Sequence, residues 1–168
     1  MEIRTFLGDI TKFECDAIVN AANTSLLGGG GVDGAIHRAA GPKLLEACRK
    51  FNGCETGQAI ITWGYNLPAK YVIHTPGPIW RGGGNREEEL LADCYRNSLE
   101  LARDHDCETV AFPSISTGVY HFPLDKASEI AVRTVKDFGQ QPSIIRQVTL
   151  VAFDAKTKEY YDRALQRI

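Results

Sequence analysis

The sequence has no surplus of positive charge: 19 Lys and Arg stand against 21 Asp and Glu, a net charge of −2. Strong nucleic-acid binding draws on basic side chains that neutralise many phosphates, so nucleic acid is not expected as a main partner. An anionic ligand would have to be held by local backbone dipoles or a few placed groups. No apolar run approaches the roughly 18 residues that span a bilayer, and the opening MEIRTFLGDI lacks the apolar core of a secretory signal. A cytoplasmic protein without membrane association is expected. The five cysteines (Cys15, Cys48, Cys54, Cys94, Cys107) are odd in number and contain no C-x-x-C pair. That spacing argues against a disulfide framework or a zinc knuckle and leaves packed thiols, with no metal site, as the expectation. Also missing are the G-x-x-x-x-G-K-[ST] phosphate loop, the spacing of a dinucleotide-binding turn and the G-x-S-x-G nucleophile elbow.

What remains is an ordinary globular composition, 43% hydrophobic and 24% charged, in 168 residues. Such a chain fits a single domain over 1–168 with a substantial core. Apolar, β-rich runs recur at Ala17 to Ala22, Ala59 to Tyr65, Lys70 to Pro76, Thr109 to Ile115 and Gln147 to Phe153. Between them, helical character is expected over Gly34 to Phe51, Arg86 to His105, Pro123 to Phe138 and Lys156 to Ile168. In the second of these, Leu90, Leu91, Cys94, Ser98, Leu101 and Ala102 share one stripe, with Glu87, Glu88 and Arg96 off it. Strands alternating with helices predict a three-layer α/β/α sandwich on a parallel or mixed sheet, with ligands in the loops beyond the carboxyl ends of the strands. The RGGGN stretch, Arg81 to Asn85, is expected to be a mobile turn before a helix.

The loop after the Ala17 to Ala22 run is the most informative segment. NAANTSLLGGGGVDGAIHRAAG, Asn20 to Gly41, places four glycines, Gly28 to Gly31, between a strand and a helix. Without Cβ atoms, such a run can turn its N–H groups toward a ligand, and a helix N-terminus beside it favours phosphate. Asn20 and Asn23 end the strand, where their amides can meet a polyhydroxylated sugar or form an Asx-turn. Asp33 follows the glycines as either a helix cap or a reactive carboxylate. His37 lies one helical turn on, on the same face.

A second strand–loop–helix unit, PSISTGVYHFP from Pro113 to Pro123, offers backbone N–H groups and hydroxyls at Ser116, Thr117 and Gly118, walled by Val119 and Tyr120. Two such loops facing each other suit a diphosphate. Two further positions bear on an adenine. Asp9, at the end of the first strand, can accept from an exocyclic amine or serve as a turn cap. Phe153, at the end of the last, can stack on a base or pack in the core.

Taken together, GDIT at Gly8 to Thr11, the long block at Asn20 to Gly41, GYNLPAKYVIHTPGP at Gly64 to Pro78, FPSISTGVYHFP at Phe112 to Pro123 and VAFD at Val151 to Asp154 resemble a macro domain of the MacroD-type ADP-ribosyl hydrolases. The resemblance implies a mixed six- or seven-stranded sheet between helices. It also implies ADP-ribose and ADP-ribosylated proteins as partners, and neither cofactor nor metal. Asp9 and the Ile10 backbone would bind adenine, flanked by Phe153. Gly30, Gly31 and Val32, with Ser116, Thr117, Gly118, Val119 and Tyr120, would cradle the diphosphate. Asn23 would hold the distal ribose, Asp33 would be most tied to catalysis, and His37 would support that end. The implied activity is removal of mono-ADP-ribose from acidic side chains, with deacetylation of O-acetyl-ADP-ribose at the same site, by a protein expected to act as a monomer. The alternative is a reader that binds ADP-ribose without cleaving it; Asp33 and Asn23 favour the enzyme. His121 departs from the family, which commonly has glycine after the loop tyrosine, and that bears on substrate preference.

Overall fold

A computed structural model describes residues 1–168. Six strands, β1 (Glu2–Leu7), β2 (Ala17–Ala22), β3 (Ile60–Trp63), β4 (Tyr71–Pro76), β5 (Thr109–Phe112) and β6 (Gln147–Ala152), form one sheet in the order β1-β6-β5-β2-β4-β3. All neighbours pair in parallel except β3, which runs antiparallel to β4 at the edge. The period-two alternation of side chains divides the core. Ala17, Val19, Ile73, Val110, Phe112, Val148 and Leu150 face one side, and Ile18, Ala22, Val72, Ala111 and Val151 the other. Helices α3 (Glu87–Asp104), α4 (Leu124–Phe138) and α5 (Ala155–Arg167) cover the first face through Leu91, Tyr95, Ala131 and Tyr161. Helices α1 (Gly31–Ala40) and α2 (Pro42–Arg49) cover the second through Ile36, Ala40, Leu44 and Cys48. The architecture is the expected α/β/α sandwich on a mixed sheet.

Three details differ from the sequence-based expectation. The segment read as one helix from Gly34 to Phe51 is two, starting earlier at Gly31 and broken where Gly41 takes φ 91° ahead of Pro42. That left-handed backbone favours glycine, and proline is suited to the first turn of the helix that follows. The strands stop short of their apolar runs: β5 ends at Phe112 before Pro113, and β6 at Ala152, so that Phe153 lies beyond the ladder. Glu87, expected off the buried stripe of α3, is itself buried. Its carboxylate accepts the backbone N–H groups of Arg81 (2.8 Å), Gly83 (2.9 Å) and Asn85 (2.5 Å), which holds its pKa below the usual range. The glycine-rich turn is thereby tied to the first turn of the helix.

Strand order positions the site. The loops that leave the carboxyl ends of β1, β6, β5 and β2 lie side by side. Across three strand spacings they span about 14 Å.

Candidate functional site

Along this edge, Asp9 follows β1, Phe153 follows β6, the Pro113 to Pro123 loop follows β5, and the Asn23 to Gly30 loop follows β2. Asp9 caps a short 3-10 turn at Ile10–Lys12. Its Oδ1 accepts from the Thr11 hydroxyl (2.7 Å) and N–H (2.9 Å), which lowers its pKa and leaves Oδ2 with no protein donor. Ile10 is buried behind it. Phe153 is 91% exposed, so the core-packing alternative does not hold for this ring. Val119, at the tip of the next loop, is 86% exposed.

The two loops at the centre share one property. The backbone N–H groups of Gly28 to Asp33, and again those of Ser116 to Tyr120, are donated to no other group of the protein. In the first run, three belong to the opening turn of α1, whose N-cap Gly30 provides no side-chain cap. Gly28 (φ 88°) and Gly31 (φ 58°) take the left-handed conformation that turns successive amides to one side, and a Cβ at Gly30 or Gly31 would meet nothing within 4 Å. In the loop that carries the second run, Ser116 (φ 67°) and His121 (φ 60°) adopt the same conformation without being glycine. This costs about 1–2 kcal/mol each. The loop is held by Phe122 N–H to Ser116 O (2.9 Å), His121 N–H to Gly118 O (3.0 Å) and Trp80 N–H to Tyr120 O (2.9 Å). The left-handed backbone at His121 explains why glycine suits that position.

The hydroxyls expected to join this cradle do not face it as free donors. Ser116 Oγ is buried without a partner, 2.2 Å from where a Cβ on Gly77 would lie, and Thr117 shares a 2.6 Å hydrogen bond with Ser114. The loop therefore presents amides rather than hydroxyls.

At the β2 end, Asn23 shapes its own loop: Nδ2 donates to Gly28 O (2.8 Å), and Oδ1 accepts from Ser25 Oγ (2.5 Å) and Leu26 N–H (3.1 Å). Asp33 is not the helix cap; it sits in the first turn of α1, only 5% exposed, with Oδ1 accepting from Asn20 Nδ2 at 2.9 Å. Its Oδ2 accepts from no protein donor. Both this atom and Asn23 Nδ2 lie 3.2 Å from where a Cβ on Gly29 would sit, so they converge on the glycine loop. Burial pushes the Asp33 carboxyl above its usual range, opposed by the Asn20 hydrogen bond and by His37. His37 Nε2 stands 3.4 Å from Asp33 Oδ1 but is not aligned to donate, and no other group meets it.

Asn20 departs from the expectation of a ligand contact. It is fully buried beneath Asp33, with its amide N–H groups directed to that carboxylate and to His74 Nδ1 (3.2 Å). His74 and Thr62, which bonds His74 Nε2 at 3.1 Å, were not singled out from sequence. The signal available was a histidine inside an otherwise apolar strand, YVIHTP.

A family model described as Macro domain matches residues 19–131. A Macro domain-containing protein of Lactiplantibacillus plantarum is 61% identical over 98% of this chain and 96% of its own length. An O-acetyl-ADP-ribose deacetylase of Escherichia fergusonii is 54% identical over 97% of this chain and 94% of its own. Among solved structures, a Trypanosoma brucei macrodomain in complex with ADP-ribose superposes with a TM-score of 0.91 at 42% identity, covering 98% of this chain and 69% of that one. With two amide-lined loops at neighbouring strand ends and a buried carboxylate beside the first, this chain belongs to the macro domain family.

Proposed function

We propose that this protein binds ADP-ribose along the carboxyl edge of its sheet and hydrolyses ADP-ribosyl esters, both O-acetyl-ADP-ribose and mono-ADP-ribose on acidic side chains of proteins. The observation that carries this reading is the pair of loops at neighbouring strand ends whose amides, at Gly28 to Asp33 and Ser116 to Tyr120, have no acceptor within the protein. A diphosphate supplies acceptors to both runs at once. With the diphosphate between β5 and β2, the adenine falls toward β1 and β6. There Asp9 Oδ2 can accept from its amine, the Ile10 backbone lies beside it, and Phe153 offers an open aromatic face.

The distal ribose then falls at Asn23, Asp33 and His37. Gripping the diphosphate places the anomeric carbon and a water together, which is catalysis by positioning. For a protein ester, the water oxygen bonds to the anomeric carbon as its bond to the side-chain carboxylate breaks. Asp33 Oδ2 accepts the proton of that water, or of a ribose hydroxyl that orients it, and the proton leaves to solvent. Relatives 54% and 56% identical, known as O-acetyl-ADP-ribose deacetylases, support the acetyl ester as a substrate class. The Asp33 carboxylate is what extends the reading from binding to cleavage. His121, at the loop that closes the cradle, is a candidate determinant of which ester enters.

Supplying the protein with O-acetyl-ADP-ribose and with a target ADP-ribosylated on glutamate tests this directly. Release of acetate and of label is expected. Saturable ADP-ribose binding with neither product would make the protein a reader. A separate prediction concerns Phe153→Ala: stacking on a base is worth about 1–3 kcal/mol, so affinity for ADP-ribose should fall about 5- to 150-fold by calorimetry. Because the ring is 91% exposed, the melting temperature should not move. An alanine variant that binds as tightly as the parent removes Phe153 from the site.

A further inference from the structure

We infer that His74 is a positioning residue for Asp33, acting through the Asn20 amide; the inference rests on the hydrolase reading above. Asn20 and His74 are direct partners across β2 and β4, and Thr62 lies diagonally on β3, whose Ile60 pairs with His74. Period-two geometry puts all three side chains on the α1/α2 face, among Ile18, Val72 and Leu44. Three polar side chains in an apolar layer are costly unless fully directed.

Here they form one directed chain. Thr62 Oγ1 donates to Trp63 O (3.1 Å), so it accepts from His74 Nε2–H (3.1 Å). His74 Nδ1 is then the unprotonated nitrogen and accepts one Asn20 N–H (3.2 Å), leaving the other for Asp33 Oδ1 (2.9 Å). If the amide turned over, its oxygen would face the Asp33 carboxylate at that distance. Asn20 Oδ1 has no partner of its own, so nothing but these two acceptors fixes which way the amide points. Thr62 thus selects the tautomer of His74, His74 orients the Asn20 amide, and the amide holds Oδ1 of Asp33 so that Oδ2 faces the glycine loop. Burial and the nearby His37 keep His74 neutral, with its pKa at about 3, so the chain persists at neutral pH.

The titratable groups around Asp33 are His37 on its own helix, Cys48 from α2 and His74 from β4. His74→Phe keeps an aromatic ring but removes the acceptor for Asn20. Turnover of O-acetyl-ADP-ribose should fall about 10- to 100-fold, with KM and ADP-ribose affinity nearly unchanged. The acid limb of the pH–rate profile should move to higher pH, because the Asn20 hydrogen bond that lowers the Asp33 pKa is lost. Thr62→Val, which frees the tautomer, should move it in the same direction by less. His74→Gln, which keeps an acceptor, should restore the profile in part. Titrating the Asp33 carboxyl by carbon NMR in the unliganded protein reads the same shift without turnover, so a failure of the hydrolase reading leaves this test intact. An unmoved Asp33 titration in His74→Phe, or in Thr62→Val if the first variant does not fold, overturns the inference. A loss of turnover that merely follows a loss of folded protein does the same.

Discussion

Replacing Asp33 by asparagine should lower turnover of both esters by about 10²- to 10⁴-fold, the contribution of a positioned general base, while ADP-ribose affinity changes little. The separation follows from the geometry. The unspent amides proposed to grip the diphosphate belong to the backbone of Gly28 to Asp33 and Ser116 to Tyr120, and asparagine leaves that backbone in place. Its side-chain oxygen can still accept from Asn20, but no basic atom then faces the glycine loop. Single-turnover kinetics beside calorimetry distinguish the two effects. Equal turnover by the variant would take Asp33 out of the mechanism, and an equal loss of affinity and rate would make it a binding residue.

The same substitution has a second signature. Burial makes the folded chain hold the Asp33 proton more tightly than the unfolded chain, where the carboxyl titrates near 3.8. Stability associated with this group is therefore present below pH 3.8 and lost as pH rises through the folded pKa. Asparagine has no such proton to release. Asp33→Asn should be at least as stable as the parent at neutral pH, with the difference closing in acid. On the proposed reading, function at this position would be held against stability, as expected for a carboxylate kept dry beside a reacting centre.

The sheet, its helices and the two amide loops were legible because apolar alternation, turn chemistry and strand–loop–helix order all point the same way. The break at Gly41 and Pro42 was not, although both residues are helix punctuation. Ile36, Ala40, Leu44 and Cys48 keep a spacing of four across it and are all buried, so the amphipathic pattern of one helix continues through two. Local pattern also cannot show which polar side chain is spent on another. Asn20 looked like a ligand contact because its partner, His74, is brought beside it only by the pairing of β2 with β4. Glu87 looked solvated for the same reason: its partners are backbone amides of a turn that folds back over the helix start. Phe153 closes an apolar run and could be core or platform until strand length decided it, since the ladder ends one residue earlier, at Ala152.

Gly34→Ala should damage both the fold and the site, and here the reason is space rather than backbone conformation. A Cβ on Gly34 would lie 2.4 Å from the Gly29 carbonyl oxygen and 3.0 Å from Arg38 Nη1. The arginine can swing away. The carbonyl cannot move without its loop, because the Gly30 oxygen next to it accepts the Gly34 N–H at 3.3 Å and begins α1. Overpacking of this kind costs about 1–3 kcal/mol, offset by about 1 kcal/mol from the better helix propensity of alanine, so the melting temperature should fall by up to roughly 8 °C. The larger effect should be on affinity. Displacing Gly29 moves the amides of the first loop and separates Asn23 Nδ2 from Asp33 Oδ2, each of which lies 3.2 Å from where a Gly29 Cβ would be. A loss of ADP-ribose affinity of about tenfold or more is expected by calorimetry, because an anion cradle built from backbone N–H groups cannot be repaired by repacking side chains. An alanine variant that melts and binds like the parent would show that the Gly29 carbonyl has room to yield, and that the close approach of helix to loop is not what shapes the site.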